Sequence, residues 1–291
     1  MLKEYCKIKA KIIDNALSQF IPLENYPQVI FEAMRYSLFA GWKRLRPILL
    51  MAAADAVGGK GENFIHTACG LEMIHTYSLI HDDLPSMDND DYRRGKLTNH
   101  KVYGEGIAIL AGDALLTTAF EVMLNQPDAE AGVLLQVVRE IAVAAGAKGM
   151  IGGQVIDLSS EGKAIDIQTL QYMHQAKTGA LFKAAICSGA RLAGATEKQI
   201  TDLGIYAEKF GLAFQITDDI LDVTGNQDTL GKPVGSDVRN SKSTYVSLYS
   251  LDMAKLMAKE AVEAALQAID DLGNEANVLR DMASYLLLRD N

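Results

Sequence analysis

Two aspartate pairs, each closing an apolar run at helical spacing, restrict this chain more than any other feature: SLIHDDLPSMD at 78–88 and QITDDILDV at 215–223. An isolated buried charge is costly, so adjacent carboxylates at the ends of apolar helices need something that pairs them. In the second run Asp218 and Asp222 are four residues apart and project from one helical face, with Asp219 rotated by about 100°. In the first, Asp82 and Asp83 end a helical run and Pro85 disfavours its unchanged continuation, so the chain can bend and return Asp88 beside Asp82. Each cluster offers two or three carboxylates to one target.

Hard oxygen donors without histidine or cysteine favour Mg²⁺, Mn²⁺ or Ca²⁺ over zinc. An EF-hand loop starting at Asp88 would need glycine at its sixth position, where Arg93 stands, which removes the standard calcium site. Mg²⁺ takes one or two protein carboxylates plus substrate phosphate oxygens, so paired acidic clusters suit a metal-bridged diphosphate. Read alone, Asp88–Asp91 would be a solvated acidic loop. Cations for further anionic groups stand in AGWKRLRP at 40–47 (Lys43, Arg44, Arg46) and directly after the first cluster (Arg93, Arg94). GNQDTLGKP at 225–233 resembles a phosphate loop only superficially, because its glycine spacing is wrong and Pro233 replaces the required Ser or Thr. Lys232 and Lys242 nevertheless suit a flap over a polyanion.

The architecture those clusters sit on reads as all-α. Amphipathic patterns run over 3–20, 27–40, 46–57, 63–84, 104–124, 129–147, 167–192, 197–224, 242–270 and 275–288. Only six prolines and 7% aromatics accompany 49% hydrophobic residues, and no composition shift marks a boundary, so a single domain over 1–291 is expected. A net charge of −9 argues against nucleic acid or an anionic membrane surface as partner. Cys6, Cys69 and Cys187 are odd in number and far apart, which supports no disulfide framework and fits a reducing compartment. The start, MLKEYCKIKAKIIDNALSQF, carries charges at helical spacing and reads as mature protein. Asp55 and Asp113 divide the most apolar stretches before the roughly 20 residues a membrane span needs. The expectation is a cytoplasmic protein without stable membrane insertion.

Taken in order, GWKRLRP, HTYSLIHDDLPSMDNDDYRRGKLTNH, ILAGDALL, GGQ, KTG, FQITDDILD and GKPVGSD followed by a lysine resemble the motifs of the trans-isoprenyl diphosphate synthases. They span 41 to 242 and are closest to the bacterial farnesyl diphosphate synthases. The resemblance implies the isoprenoid synthase fold, a bundle of about ten or more helices around a central active-site cavity, and a homodimer. It implies three Mg²⁺ ions on an allylic diphosphate, with Asp82, Asp88 and Asp218 as ligands, Asp83 and Asp219 nearby and Asp222 acting through water. Arg93, Lys177 and Lys232 would then contact the allylic diphosphate, with Lys242 beside Lys232 in the flap; Lys43, Arg46, His75 and Arg94 would receive isopentenyl diphosphate. His75, seven positions before Asp82, lies two turns away on the same helical face. His66, His81, His100 and His174 keep a structural reading.

The implied reaction draws diphosphate off dimethylallyl or geranyl diphosphate, and the alkene of isopentenyl diphosphate attacks the allylic cation. No enzyme nucleophile is needed, and Lys177 reads as an electrostatic clamp. Thr178 and Gln215 would lie near the cation. Tyr77, five residues before Asp82, would stop chain growth at C15, with small Ser78 beside it. Trp42 departs from the family's usual glycine before the lysine, and Arg289 is a further candidate for closing the site. A geranylgeranyl diphosphate synthase is the alternative enzyme; a terpene cyclase, an HD-type phosphohydrolase using His81–Asp82, and a non-catalytic subunit each leave one complete acidic motif unexplained.

Overall fold

The computed structural model describes residues 2–41, 43–225 and 243–288; Trp42, Lys232, Lys242 and Arg289, singled out above, lie outside the described residues. The protein is mostly helical, with one two-stranded hairpin among the described residues, as the all-α expectation requires. It packs as two compact units, Met1–Ile48 with Glu62–Val138 and Leu49–Gly61 with Arg139–Asn291.

The first unit holds α1 (Leu2–Phe20), α2 (Gln28–Leu38), the start of α3 (Leu45–Ala56), α4 (Ile65–Asp82), the strands β1 (Tyr92–Arg93) and β2 (Lys96–Leu97), α5 (Asn99–Tyr103), α6 (Glu105–Leu124) and the start of α7 (Ala131–Ala145). α4 is apolar nearly all round, and its buried faces are covered by α1, α2 and α6. Asp113 interrupts the apolar run but not the helix, which follows the pattern expected over 104–124. One carboxylate on an exposed face costs a helix little, and Glu105–Leu124 runs on as one element. By length and composition this helix and the stretch Ala131–Ser160 are each apolar enough to cross a membrane.

The second unit continues through α8 (Met150–Ser160), α9 (Ile167–His174), a π-helical turn over Gln175–Gly179, α10 (Ala180–Leu192), α11 (Glu197–Thr224), α12 (Tyr245–Leu248), α13 (Leu251–Ala268) and α14 (Asn277–Leu286). α11 starts at a capping box in which Thr196 and Gln199 each accept the other's backbone N–H. It packs against α10 and α13, with Phe182 set edge-on to Phe210 at 5.3 Å and Tyr206 stacked on Phe210 at 5.8 Å. The Tyr206 hydroxyl, fully buried, donates to the Leu279 carbonyl at 2.7 Å.

Three local departures have identifiable causes. α8 lies outside the patterns expected above, since Gly152–Gly153 weakens the helical signal there. The pattern over 167–192 is one helical path interrupted by the π turn, and the pattern over 242–270 divides where Ser250 caps a new helix by accepting from Met253 N–H.

α10 approaches the Leu50 segment of α3 so closely that a Cβ on Gly189 would lie 2.0 Å from the Leu50 carbonyl oxygen. Gly189→Ala is therefore expected to destabilise the protein by about 1–3 kcal/mol, the overpacking outweighing alanine's better helix propensity. The measurement is the urea midpoint at unchanged slope, and an unchanged or raised midpoint would refute the close approach.

Candidate active site

The first acidic segment forms where α4 stops. Asp88 N–H donates to the Asp82 carbonyl at 2.9 Å, while Met87 and Asn89 N–H both donate to Leu84 O. This tight bend sets the two half-buried residues Asp82 and Asp88 side by side, the return that Pro85 suggested. Asp83, next to Asp82, turns inward instead: only 4% exposed, it accepts from Arg93 Nε at 2.7 Å. Burial raises the Asp83 carboxyl pKa more than Arg93 lowers it. For Arg93 burial pulls the other way, but the Asp83 hydrogen bond and the charges of Asp83, Asp82 and Asp90 leave its pKa raised overall. Asp91 pairs with Lys101 at 2.8 Å. The crowded aspartates are thus divided among separate cations.

Arg93 is delivered by the hairpin. Tyr92 faces Leu97 and Arg93 faces Lys96 across an antiparallel pair, joined by Arg94 (φ 53°) and Gly95 (φ 75°). Two positive φ angles in a two-residue loop are the signature of a type I′ turn, which ordinarily takes Asn or Gly at the position Arg94 fills. Arg94 Nη1 donates to the Gly41 carbonyl, which ties the hairpin to the basic segment.

In that segment Lys43 is exposed, Arg46 is half-buried and Arg44 is buried. Arg44, at φ 51°, donates Nε to Asp14 at 2.8 Å, Nη1 to Glu72 at 2.9 Å and Nη2 to the Leu38 carbonyl at 2.7 Å. It acts as the clasp of the segment, with Lys43 and Arg46 to either side. Burial lowers the Arg46 pKa to about 10, against the opposing pull of Glu72. His75 is held well below the ordinary histidine value, first by burial and then by Arg46, Arg94, Arg93 and Arg44. Cations that keep a nearby histidine neutral make a region of positive potential suited to an anion.

In the second unit the π turn carries Lys177 and Thr178. Lys177 Nζ donates to Asp157 Oδ2 at 2.6 Å. A Cβ on Gly153 would fall 2.2 Å from Lys177 N, so this glycine of α8 permits close backbone contact with the turn. Thr178 Oγ1 lies 3.4 Å from Gln215 Oε1, Gln215 Nε2 donates to Asp219 Oδ1 at 3.0 Å, and Asp219 Oδ2 accepts from Tyr245 N–H at 2.9 Å. Asp219 is 3% exposed, whereas Asp218 and Asp222, a turn apart, are half-buried.

Tyr77 is buried edge-on to His81 at 5.6 Å, and its hydroxyl has no hydrogen-bond partner among the described residues. Burial, then Asp82, raises its pKa to about 12. Ser78 Oγ donates back to the His75 carbonyl at 2.8 Å. His81 Nε2 lies 3.0 Å from Ile109 O, His66 packs on Phe20, His100 meets Thr98 Oγ1 and His174 meets Tyr245.

Among the described residues no three of His, Cys, Asp and Glu gather into a cluster that holds a metal ion by itself. The adjacent Asp82 and Asp88, an oxygen-only pair, fit a hard divalent cation whose remaining ligands come from water or phosphate. Sequence reasoning missed Glu72, Asp14 and Asp157. Glu72 was concealed in an apolar helix; Asp157 had a readable signal in its one-turn spacing from Gln154 after the paired glycines.

Residues 27–283 match the family model described as Polyprenyl synthetase. The chain is 47% identical over 292 residues to a geranylgeranyl diphosphate synthase of Cyanophora paradoxa, covering 100% of this chain and 97% of that protein. It is 43% identical to a farnesyl diphosphate synthase of Geobacillus stearothermophilus, covering 100% and 98%. The crystal structure of geranylgeranyl pyrophosphate synthetase from Pyrococcus horikoshii Ot3 superposes with a TM-score of 0.92 at 33% identity, over 99% of this chain and 98% of that one.

The neutral His75 has a thermodynamic consequence. Its folded-state pKa lies below the unfolded value of about 6.5, so on acidification the unfolded chain takes up this proton first. The contribution to stability is whole above about pH 6.5 and declines as pH falls. His75→Gln is expected to flatten the loss of stability between about pH 6.5 and 5 by at most about 1.4 kcal/mol per pH unit. Urea unfolding of both proteins across that range checks it, and parallel curves would contradict it.

Proposed function

The chain belongs to the polyprenyl synthetase family as a prenyltransferase, a trans-prenyl diphosphate synthase, and from that premise we propose that its main product is C15 farnesyl diphosphate. The substrates are dimethylallyl or geranyl diphosphate and isopentenyl diphosphate, joined head to tail with release of diphosphate. The observation that carries the reading is the return of Asp88 onto Asp82 beside an arginine-rich, histidine-containing segment. It supports binding of two diphosphates with different demands, one through metal and one through cations alone.

Asp82, Asp88 and Asp218 are the residues that would hold Mg²⁺, three ions by family resemblance with Mn²⁺ a substitute, with Asp222 acting through water and Asp83 supporting Arg93. When bound, the metal supplies Lewis acidity and neutralises the leaving diphosphate. Arg93 and Lys177 bind the allylic diphosphate, and Asp157 orients Lys177 toward that task. Lys43, Arg46, Arg94 and neutral His75 bind isopentenyl diphosphate. As the allylic C1–O bond breaks, the oxygens of Thr178 and Gln215 stabilise the carbon that develops positive charge. The isopentenyl alkene forms the new C–C bond, and the departing diphosphate accepts the proton whose loss restores a double bond. Lys232 and Lys242, outside the described residues, belong to this reading as further cations for the diphosphate.

Tyr77 supports the C15 limit: a buried aromatic five residues before Asp82 stands about 7–8 Å along α4 from the carboxylates. Relatives bearing both chain-length names keep geranylgeranyl diphosphate as the second reading. We place the whole of 1–291 in one catalytic domain of a cytoplasmic homodimer. Exposed Ile109 and Leu110 on α6 support the self-association.

Incubation with Mg²⁺, geranyl diphosphate and isopentenyl diphosphate is expected to give C15 diphosphate by mass spectrometry. Absence of condensation by the folded, metal-supplied protein would overturn the enzymatic reading. Tyr77→Ala is expected to shift products to C20 and beyond, and unchanged C15 output from the folded variant would remove Tyr77 as the stop.

A further inference from the structure

We propose that Glu72 is a positioning residue for isopentenyl diphosphate: a buried counter-charge that locks Arg44 and so sets the cations on either side of it. This rests on the isopentenyl-binding reading above and deepens it. Glu72 is 1% exposed on α4, one turn before His75, and accepts from Arg44 Nη1 at 2.9 Å. Its second oxygen, Oε2, is buried with no hydrogen-bond partner among the described residues. A buried carboxylate with one oxygen unused is a poor stabilising device, which points to a role beyond packing.

The geometry around Arg44 supplies that role. Arg44 occupies a left-handed conformation at φ 51°, costly for a residue with a Cβ, and its guanidinium is fixed by Glu72, Asp14 and the Leu38 carbonyl. That fixed residue lies between Lys43 and Arg46. Arg94, also left-handed at φ 53°, reaches the same segment through the Gly41 carbonyl. The charge of Glu72 acts on both Arg46 and Arg94 as well as on Arg44. One carboxylate therefore holds the clasp and moderates the repulsion among the cations around it. Asp82 lies ten residues further along α4, about 15 Å by helical rise, so the allylic carboxylates are outside this clasp.

The test is calorimetric titration of wild type, Glu72→Gln and Glu72→Asp with isopentenyl diphosphate alone, and separately with geranyl diphosphate plus Mg²⁺, alongside thermal melting. The expected result for Glu72→Gln is an isopentenyl Kd raised about tenfold or more, a geranyl Kd within about twofold, and partial recovery in Glu72→Asp. Equal change in both affinities, or none, in a cooperatively melting variant would overturn the proposal. Should Glu72→Gln not fold, Arg44→Met with Glu72→Met removes the buried charges together; selective loss of isopentenyl binding supports the proposal and normal binding overturns it. Wild-type protein that condenses no substrate and binds no isopentenyl diphosphate would instead overturn the parent reading.

Discussion

The pairing of Asp83 with Arg93 is the interaction on which the first acidic segment depends. Five aspartates fall within residues 82–91, and such a segment would repel itself and unfold the end of α4 if all faced one space. Asp83 turns into the protein and takes the hairpin arginine, which itself stands 3.7 Å from Asp90, and Asp91 leaves to Lys101. What stays together is Asp82 and Asp88, held by a backbone hydrogen bond that carries no charge.

The second aspartate pair is handled by the same device with different partners. Asp219 is spent on structure: its two oxygens accept from Gln215 and from the backbone of Tyr245, binding α11 to the start of α12. Asp218, about 100° away around the helix, is left half-buried with Asp222 one turn on. In each pair the second carboxylate is buried and hydrogen-bonded while the first stays half-buried. Adjacent residues on a helix cannot share a direction, so a doubled aspartate can bury one carboxylate as an anchor and leave the other more accessible. The basic segment follows a related rule: Arg44 is buried on Glu72 and Asp14, and Lys43 and Arg46 are presented beside it.

Much of this was legible from residue order. The helices around the aspartate pairs follow from 3.6-residue spacing, and the bend after Asp83 follows from Pro85. The parts that were not legible depend on contacts distant in sequence. α8 carries Gly152–Gly153 because a Cβ at Gly152 would strike the Ala147 carbonyl and one at Gly153 the backbone of Lys177, contacts that the glycine pair read alone does not reveal. The hairpin went unseen because Arg94 fills a left-handed position that turn chemistry assigns to smaller residues. Glu72 looked like an isolated polar residue in an apolar helix until Arg44, 28 positions earlier, was found against it. Which aspartate of each pair faces inward likewise rests on Arg93 and Tyr245, neither of which the helical pattern names.

The division of labour within the aspartate pairs is tested most directly by measuring turnover with geranyl and isopentenyl diphosphates, beside the melting temperature, for Asp82→Asn, Asp83→Asn, Asp218→Asn and Asp219→Asn. The account predicts that Asp82→Asn and Asp218→Asn melt like wild type and lose most of their turnover, while Asp83→Asn and Asp219→Asn lower the melting temperature. Wild-type melting in the Asp83 and Asp219 variants together with full turnover in the Asp82 and Asp218 variants would contradict it.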